Sequence, residues 1–422
     1  MSAERAVLVT VQLDPRFSRE VGMWPIEDEA RELNELATSS GCQVVGELSA
    51  KRHRPVAGTF LGNGKLEEIA GTVRELQGQV VIFNQELSPA QQRNIEEVFR
   101  VKTIDRTQLI LDIFAQRAKS QEGKVQVELA QLRYLLPRLI GKGIELSRLG
   151  GGIGTRGPGE QKLEVDRRRI RARLGRLGEE LERLGRRREA TRTKRKETEV
   201  PVAALVGYTN AGKTTLLNTL TGSAGIARNQ LFTTLDPLAR RARLPSGEHI
   251  IVTDTVGFLH HLPHHLIEAF KATLEEARDA DFLLHVLDAS DPLTAEHATA
   301  VDDVLKQLEL KQKPMVTVLN KRDRVQDGAQ LVALERLYEP AAAISAKTGE
   351  GLDRLYAVIG HQLELLLALP TLLRVPMERS DVVASVYQAG QVIRRQEIDG
   401  AVELTARLPA KLKVSLSPYI LS

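Results

Sequence analysis

The sequence predicts an α/β protein made of four successive units, and three patterns support this prediction. Strand-like and helix-like stretches alternate in residues 1–118, which is typical of a small α/β domain with a largely parallel sheet. Two long helical patterns follow in 119–198, and in 199–367 apolar runs typical of buried strands alternate with helical stretches. The remainder, 368–422, mixes strand-like runs with one helical stretch and is predicted to be a small α+β domain.

Composition and charge indicate a globular protein with one basic region. The chain has 422 residues, of which 42% are hydrophobic and 27% charged. Aromatic residues make up only 4%, so base stacking on an aromatic platform is not the expected mode of nucleic-acid contact. The net charge is +4, yet residues 138–196 contain 19 Lys and Arg against 8 Asp and Glu. This asymmetry favours the hypothesis of a partner for that region, and the alternative is a solvated helix face.

Cysteine content and apolar runs limit the compartment and the class of protein. Cys42 is the only cysteine, which excludes an internal disulfide and a cysteine-based zinc site. The N-terminus lacks the basic start and apolar length of a secretory signal, and no apolar run approaches the roughly 20 residues of a membrane span. We therefore expect a cytoplasmic protein with no integral membrane association. A monomer is expected by default, since the sequence does not reveal the oligomeric state.

In the first unit, the periodicity predicts each element separately. The expected strands are 6–11, 43–48, 80–84 and 101–104, and the expected helices are 26–39, 64–76 and 88–99. Ser88 followed by Pro89 is a favourable start for the third helix. The GNGK sequence at 62–65 raises the possibility of a second phosphate site, but it lacks a full loop consensus, so we interpret it as a helix-entry turn.

The second unit is predicted to be an antiparallel helical hairpin. Each helical pattern has one apolar seam at coiled-coil spacing: Val125, Leu129, Leu132, Leu136 and Leu139 in the first, and Leu163, Ile170, Leu174, Leu177, Leu181 and Leu184 in the second. Neither seam can be buried alone, so we expect the two to pack together. Residues 140–159 contain eight glycines between Pro137 and Pro158, and this stretch is expected to form a flexible tip.

In the third unit, five apolar runs predict a doubly wound sheet: VAALVG, IIVTDT, FLLHVLDAS, MVTVLN and AAAISA. In the fourth unit, VIRRQEI, AVELTARL and LKVSL are expected to be strands, with a helix near 381–388.

A glycine-rich loop between the first strand and first helix of the third unit matches a phosphate-binding loop. Its residues are Gly207, Tyr208, Thr209, Asn210, Ala211, Gly212, Lys213, Thr214 and Thr215. Backbone N–H groups and the helix N-terminus favour a phosphate here, Lys213 would reach the β- and γ-phosphates, and the Thr214 hydroxyl would bind Mg²⁺. The alternative is an ordinary strand-to-helix turn, which the combination of strand, lysine, threonine and helix makes improbable.

Two further segments are candidates for the γ-phosphate side. Asp254, Thr255, Val256 and Gly257 follow the second predicted strand, where Asp254 would bind the metal through water and Gly257 would donate its N–H to the γ-phosphate. The loop with Phe232, Thr233, Thr234, Leu235 and Asp236 has the character of a switch, in which we favour Thr234 over Thr233 as the metal ligand. The alternative for this loop is a polar surface segment. The expected catalytic residues are Lys213, Thr234 and Gly257.

Two segments are candidates for the base. Asn320, Lys321, Arg322 and Asp323 follow the fourth predicted strand, and Ser345, Ala346 and Lys347 follow the fifth. The Asp323 carboxylate can accept hydrogen bonds from guanine N1–H and N2–H₂, a pair that adenine does not offer. Lys321 would pack along the base, Asn320 would support the loop, and the Ala346 N–H would bind guanine O6. These motifs together predict a GTP site.

The motifs resemble those of the translation-factor-related GTPases, and the layout of the whole chain resembles the HflX family. The segments that carry the resemblance are 207–214, FTTLDP at 232–237, DTVGF at 254–258, NKRD at 320–323, SAK at 345–347 and, most specifically, GGIGTRGPGE at 151–160. The resemblance implies a GTPase that binds the large ribosomal subunit and its RNA, and that dissociates or rescues stalled ribosomes. The hairpin and its tip would then contact ribosomal RNA. The expected RNA contacts are Arg148, Gly151, Gly152, Arg156, Gly157, Arg167, Arg168 and Arg171.

One departure affects the mechanism. Phe258 stands where Ras-like enzymes have the glutamine that orients water, so we expect slow intrinsic hydrolysis that the partner completes. One hypothesis is a K⁺ ion at Asn210, a position that binds a monovalent cation in relatives without the glutamine.

Two other functions stay open. One is a GTP-gated factor for assembly or anti-association of the large subunit. The other is a membrane-surface GTPase whose basic hairpin binds anionic lipid. The alternating charges of 160–189 and the missing bulky apolar face argue against the second.

Overall fold

The computed structural model describes residues 3–14, 16, 24–139, 158–196, 200–223, 231–232, 238–260, 271–367, 369–398, 400–408 and 410–421. The chain divides into two compact units. The first comprises Met1–Thr198, Ala227–Pro237 and Leu259–Glu275, and the second comprises Glu199–Ile226, Leu238–Phe258 and Glu276–Ser422. Within the described residues, none of the helices is both long and apolar enough to cross a bilayer.

A four-stranded parallel sheet forms the centre of the first unit, in the order β2-β1-β3-β4. The strands are β1 (Arg5–Leu13), β2 (Gln43–Arg52), β3 (Val80–Phe83) and β4 (Lys102–Asp105), and the helices beside them are α1 (Ile26–Ser39), α2 (Asn63–Glu75), α3 (Pro89–Phe99) and α4 (Arg106–Arg117). The predicted strands and helices of this region are confirmed. Helix α4 was not predicted, because its buried residues include the consecutive run Leu109, Ile110 and Leu111, which hides the helical period.

Side-chain caps explain where two of these helices begin. The Ser88 hydroxyl accepts the Gln91 N–H at 3.2 Å, and the Gln91 side chain accepts the Ser88 N–H at 2.9 Å, which is a capping box. Gly62 is the N-cap of α2, so the GNGK sequence is a helix-entry turn, as expected. The Asp105 carboxylate caps α4 by accepting the Gln108 N–H at 2.9 Å.

Two antiparallel helices, α5 (Gln121–Arg138) and α6 (Pro158–Lys196), form the predicted hairpin. Leu177 is fully buried in the seam, among Val125, Leu129, Leu132, Leu174, Leu181 and Leu184. The Arg173 guanidinium donates two bonds of 2.7 Å to the Glu128 carboxylate, and Gln121 pairs with Glu180, which fixes the antiparallel register. Pro137 lies inside the last turn of α5 rather than ending it. The predicted tip lies outside the described residues, apart from Pro158 and Gly159, which begin α6.

A polar cluster joins this hairpin to the N-terminal sheet. The Asp105 carboxylate at the end of β4 is 1% exposed, and it accepts the Tyr134 hydroxyl at 2.8 Å and the Arg138 guanidinium at 3.0 Å. The Arg138 guanidinium also stacks on the Tyr134 ring. Burial, with the neighbouring Asp105 charge, raises the pKa of Tyr134 far above its ordinary value. The phenol therefore stays a proton donor to Asp105.

The second unit contains a six-stranded sheet in the order β10-β9-β8-β5-β7-β6. Its strands are β5 (Val202–Gly207), β6 (Leu238–Arg243), β7 (His249–Asp254), β8 (Phe282–Asp288), β9 (Met315–Asn320) and β10 (Ala341–Ala343), and its helices are α7 (Lys213–Thr221), α8 (Lys271–Asp279, which spans both units), α9 (Thr294–Gln307), α10 (Gly328–Leu337) and α11 (Leu352–Leu367). The five predicted strands are confirmed and pair in parallel. Strand β6 was not predicted, because this antiparallel edge strand is charged and mostly exposed.

An antiparallel sheet of three strands, in the order β11-β13-β12, forms the C-terminal part of the second unit. The elements are β11 (Thr371–Pro376), α12 (Ser380–Ala389), β12 (Gln391–Ile398), β13 (Ala401–Arg407) and α13 (Ala410–Ser415). The prediction of a strand at LKVSL was wrong, because Leu412 and Leu416 both pack on the core while Val414 between them is 76% exposed. That spacing of four is helical. Strand β11 was not predicted.

Candidate nucleotide-binding site

The phosphate-binding loop connects β5 to α7, and its backbone requires two special residues. Asn210 has φ 61° and Gly212 has φ 97°, both in the left-handed region. A Cβ added to Gly212 would lie 2.2 Å from the Asn320 side-chain nitrogen, so only glycine fits there. The loop thus packs against the end of β9 while its N–H groups remain at the N-terminus of α7.

Lys213 is held at the centre of this loop. Its ammonium donates to the Gly207 carbonyl at 2.9 Å and to the Tyr208 carbonyl at 2.7 Å. Burial lowers the pKa of Lys213 to about 8, and the nearby Asp254 charge partly offsets this effect. A buried, incompletely neutralised ammonium beside the loop N–H groups favours an anionic ligand.

Two hard oxygen donors meet beside Lys213. The Thr214 hydroxyl donates to the Asp254 carboxylate at 2.8 Å, and Asp254, at the end of β7, is fully buried. A hydroxyl and a carboxylate next to a phosphate loop are the oxygen donors that Mg²⁺ prefers, directly or through water. The donor chemistry fits the predicted metal.

The segment after Asp254 is attached to the phosphate loop by its backbone. The Phe258 carbonyl accepts the Thr209 N–H at 2.8 Å, and the Phe258 N–H donates to the Gly207 carbonyl at 3.1 Å. The Phe258 side chain is 2% exposed, so it is a core residue. A Cβ on Gly257 would lie 3.1 Å from the Lys213 ammonium and 2.9 Å from the Thr209 Cα, so this residue must be glycine.

Asn320 connects the phosphate loop to the loop after β10. Its side-chain amide donates to the Ala211 carbonyl at 2.8 Å, and its oxygen accepts the Ala346 N–H at 2.9 Å. Thr219 of α7 also donates to the Ala346 carbonyl. The Ala346 N–H, which is predicted to bind guanine O6, donates to the Asn320 side chain in this structure, and its role towards the base stays a prediction.

Two carboxylates near the end of β9 differ in exposure: Asp323 is exposed, whereas Asp288 is largely buried. A hydrogen bond from Ser345 lowers the pKa of Asp323, which is exposed and therefore ionised at neutral pH. The Lys321 ammonium pairs with the Asp288 carboxylate at 2.6 Å, whereas Arg322 pairs with Glu350 at 2.8 Å.

Asp288 was missed by the sequence analysis. It ends β8 directly beside Asn320, which ends β9. Its position at the carboxyl end of a central parallel strand, where ligands of such sheets bind, was the available signal.

The structure brings four of the five predicted segments to one edge of the sheet. Residues 207–215, 254–257, 320–323 and 345–347 all follow the carboxyl ends of parallel strands. Thr255 and Val256 are buried, and the Thr255 hydroxyl donates to the Leu205 carbonyl at 2.7 Å, so their side chains belong to the core.

The remaining candidates lie elsewhere or outside the described residues. Phe232 is 2% exposed and packs edge-to-face on Phe114 within the first unit. On α6, Arg167 is half-buried, and Arg168 and Arg171 are exposed. Outside the described residues are Thr233, Thr234, Leu235, Asp236, Arg148, Gly151, Gly152, Arg156 and Gly157.

Four family models match the chain in succession. They are described as GTP-binding GTPase N-terminal (27–115), GTP-binding GTPase Middle Region (117–195), 50S ribosome-binding GTPase (202–321) and HflX C-terminal domain (331–417).

Relatives that match nearly the whole chain are described as GTPase HflX. The chain is 45% identical to the GTPase HflX of Caldanaerobacter subterraneus subsp. tengcongensis, over 99% of this chain and 94% of the relative. It is 47% identical to that of Lacrimispora saccharolytica, over 92% and 90%. It is 42% identical to that of Escherichia coli, over 97% and 94%. With matches of this extent along the whole chain, the protein belongs to the HflX family of GTPases.

Proposed function

We propose that this protein binds GTP with Mg²⁺ and hydrolyses it to GDP and phosphate. The observation that carries the proposal is the Asn320 side chain, which bonds the phosphate loop on one side and the 345–347 loop on the other. One amide thereby fixes the spacing between a phosphate site and a base site. Guanine would be read by the Asp323 carboxylate, with Lys321 along the base.

The residues of this chain divide the work as follows. Lys213 and the loop N–H groups hold the β- and γ-phosphates, and the Gly257 N–H binds the γ-phosphate. Thr214, Asp254 through water and Thr234 would hold Mg²⁺, which would supply positive charge to offset the charge developing on the phosphates. The buried Phe258 contributes no polar group for water, so intrinsic hydrolysis is slow and the partner accelerates it. A K⁺ ion at Asn210 is one source of the missing charge.

The partner in this proposal is the large ribosomal subunit with its RNA, and the activity is dissociation or rescue of stalled ribosomes in the cytoplasm. Support comes from the family description and from the charge of the hairpin, where Arg168 and Arg171 are exposed. A basic helix without aromatic platforms suits contacts to RNA phosphates and to RNA shape.

Sucrose-gradient sedimentation tests this function. Intact ribosomes incubated with the protein and GTP should separate into subunits. Ribosomes that stay intact, with the protein found only on free or immature large subunits, would favour the assembly or anti-association factor. Flotation with anionic liposomes would identify the membrane-surface alternative.

A variant of the glycine-rich segment provides a second test. Replacing residues 150–159 with a short neutral turn should leave nucleotide binding intact and abolish subunit separation. Full separation by this variant would remove the proposed role of that segment.

A further inference from the structure

The end of β8 contributes a residue, Asp288, that is not part of the predicted nucleotide-binding motifs but contacts Lys321 of one of them. Asp288 ends this strand, and its carboxylate lies 2.6 Å from the Lys321 ammonium. Both side chains are largely buried, with 15% and 16% of their surfaces exposed. A charge pair this shielded is screened less by salt than a surface pair and holds a defined geometry.

The Asp288 carboxylate is itself held in place. Its second oxygen accepts the Ser290 N–H at 3.0 Å and the Ser290 hydroxyl at 2.6 Å. The Asp288 carbonyl accepts the Thr294 hydroxyl at 2.7 Å, and the Ala289 N–H donates to the Asn320 carbonyl at 2.9 Å. Ser290 thus holds one oxygen of the carboxylate while the other faces Lys321, and the bonds of Thr294 and Ala289 hold the backbone of the strand end.

Lys321 needs such a partner. Its backbone has φ 63°, so the chain turns sharply there, and its flexible side chain starts beside Asn320, where the base site begins. A lysine side chain that samples many rotamers loses entropy when a base orders it. An ion pair at its end removes most of that freedom before the ligand arrives, which is preorganisation.

We propose that Asp288 is a positioning residue for guanine-nucleotide binding: oriented by Ser290, it holds the Lys321 ammonium so that the lysine stem forms one wall of the base site. This inference rests on the proposed function. It assigns a role to the loop after β8 and concerns the base rather than the phosphates, so GDP and GTP should respond alike.

The test measures the affinity and the dissociation rate of fluorescent N-methylanthraniloyl-GDP and N-methylanthraniloyl-GTP on the full chain. Asp288→Asn keeps the shape and removes the charge, and it should weaken both nucleotides by the same factor, roughly tenfold, mainly through faster dissociation. Turnover at saturating GTP should stay near that of the wild type. Asp291→Asn is the matched control: Asp291 lies in the same loop, and its carboxylate accepts the Leu293 N–H at 2.9 Å and lies 3.9 Å from the His297 ring nitrogen. It should change affinity less than about twofold.

A double-mutant cycle separates positioning from a general effect on folding. Lys321→Met removes the ammonium and keeps an apolar stem. In the Lys321→Met background, Asp288→Asn should not lower the nucleotide affinity further, because the Asp288 carboxylate then has no lysine ammonium to hold. The full loss in both backgrounds, or unchanged affinity of Asp288→Asn alone, would overturn the inference. If the wild-type protein does not bind guanine nucleotides, that result contradicts the proposed function rather than the role of Asp288.

Discussion

The hydroxyl of Thr214 donates a hydrogen bond of 2.8 Å to the carboxylate of Asp254, joining the first turn of α7 to the end of β7. Thr214 lies in the helix that follows β5, Asp254 is the last residue of β7, and the two are 40 positions apart in the chain. Their contact defines where a magnesium ion would sit.

Removing either oxygen should weaken binding only when magnesium is present. Thr214→Ala and Asp254→Asn should each lower the affinity for GTP in Mg²⁺ by about 10–100-fold, because they remove metal ligation or its support. With EDTA the variants and the wild type should bind alike. Thr221→Ala is the control, since that hydroxyl bonds to the Leu217 carbonyl in the same helix. Equal losses with and without Mg²⁺ would contradict the assignment.

The base reader is testable by exchanging the base. Asp323→Asn turns an acceptor-only carboxylate into an amide, which can donate to the second carbonyl of xanthine. The variant should prefer xanthosine over guanosine nucleotides, and competition binding measures this. Unaltered GTP binding would refute the assignment of Asp323.

The Lys213 ammonium gives nucleotide binding a defined pH dependence. Its pKa of about 8 in the folded protein lies below its ordinary value of 10.5, so folding disfavours the charged form. The cost is fully present below pH 8 and disappears as the pH rises to about 10.5, so the empty protein gains stability over this window.

Phosphates reverse that preference because they favour the ammonium. GDP binding should therefore take up a proton above pH 8, and its affinity should fall as the pH rises. Calorimetry in two buffers of different ionisation enthalpy, at pH 7 and pH 8.5, measures the uptake. GMP, which lacks the β-phosphate, is the control. Equal uptake of protons at both pH values would contradict the role of Lys213.

Gly212 separates backbone strain from steric overlap. Gly212→Ala adds strain at φ 97° and a Cβ 2.2 Å from the Asn320 side chain, whereas Gly247→Ala adds strain at φ 104° in open space. Each strain costs about 1–3 kcal/mol. Gly212→Ala should lower the free energy of unfolding further and should abolish nucleotide binding. Identical unfolding curves for the two variants would show that Asn320 moves aside easily.

The hairpin seam should respond to a cavity. Leu177→Ala should lower the free energy of unfolding of this region by about 2–5 kcal/mol, because Leu177 is fully buried. Limited proteolysis followed by mass spectrometry localises the effect to α5 and α6. Val165→Ala, on the same helix and 44% exposed, is the matched control. Similar cleavage of both variants would mean that the seam contributes little.

The sequence predicted best those elements in which buried residues recur at a regular spacing along the chain. Buried parallel strands and single-seam helices leave a clear period, so the central strands and the hairpin are recovered. Helix α4 and strand β6 were not predicted, for opposite reasons. Helix α4 buries consecutive residues, which hides its period, whereas β6 is mostly exposed and lacks an apolar pattern. At 412–416, alternation of apolar residues mimics a strand, and only the core contacts of Leu412 and Leu416 distinguish a helix.

The candidate site was predictable where a motif fixes chemistry, and less so where contacts cross the sheet. The phosphate loop and Asp323 follow from local sequence. The partner of the Ala346 N–H and the role of Asp288 depend on which strands are neighbours. Strand order is set by the whole sheet, so local sequence does not reveal them.

The cluster of Asp105, Tyr134 and Arg138 attaches the C-terminal end of α5 to the N-terminal sheet within the first unit. A carboxylate with almost no solvent contact holds both side chains, so α5 cannot pivot without breaking charged bonds in the interior. We therefore expect that loss of the Asp105 carboxylate would loosen the C-terminal end of α5 from the end of β4.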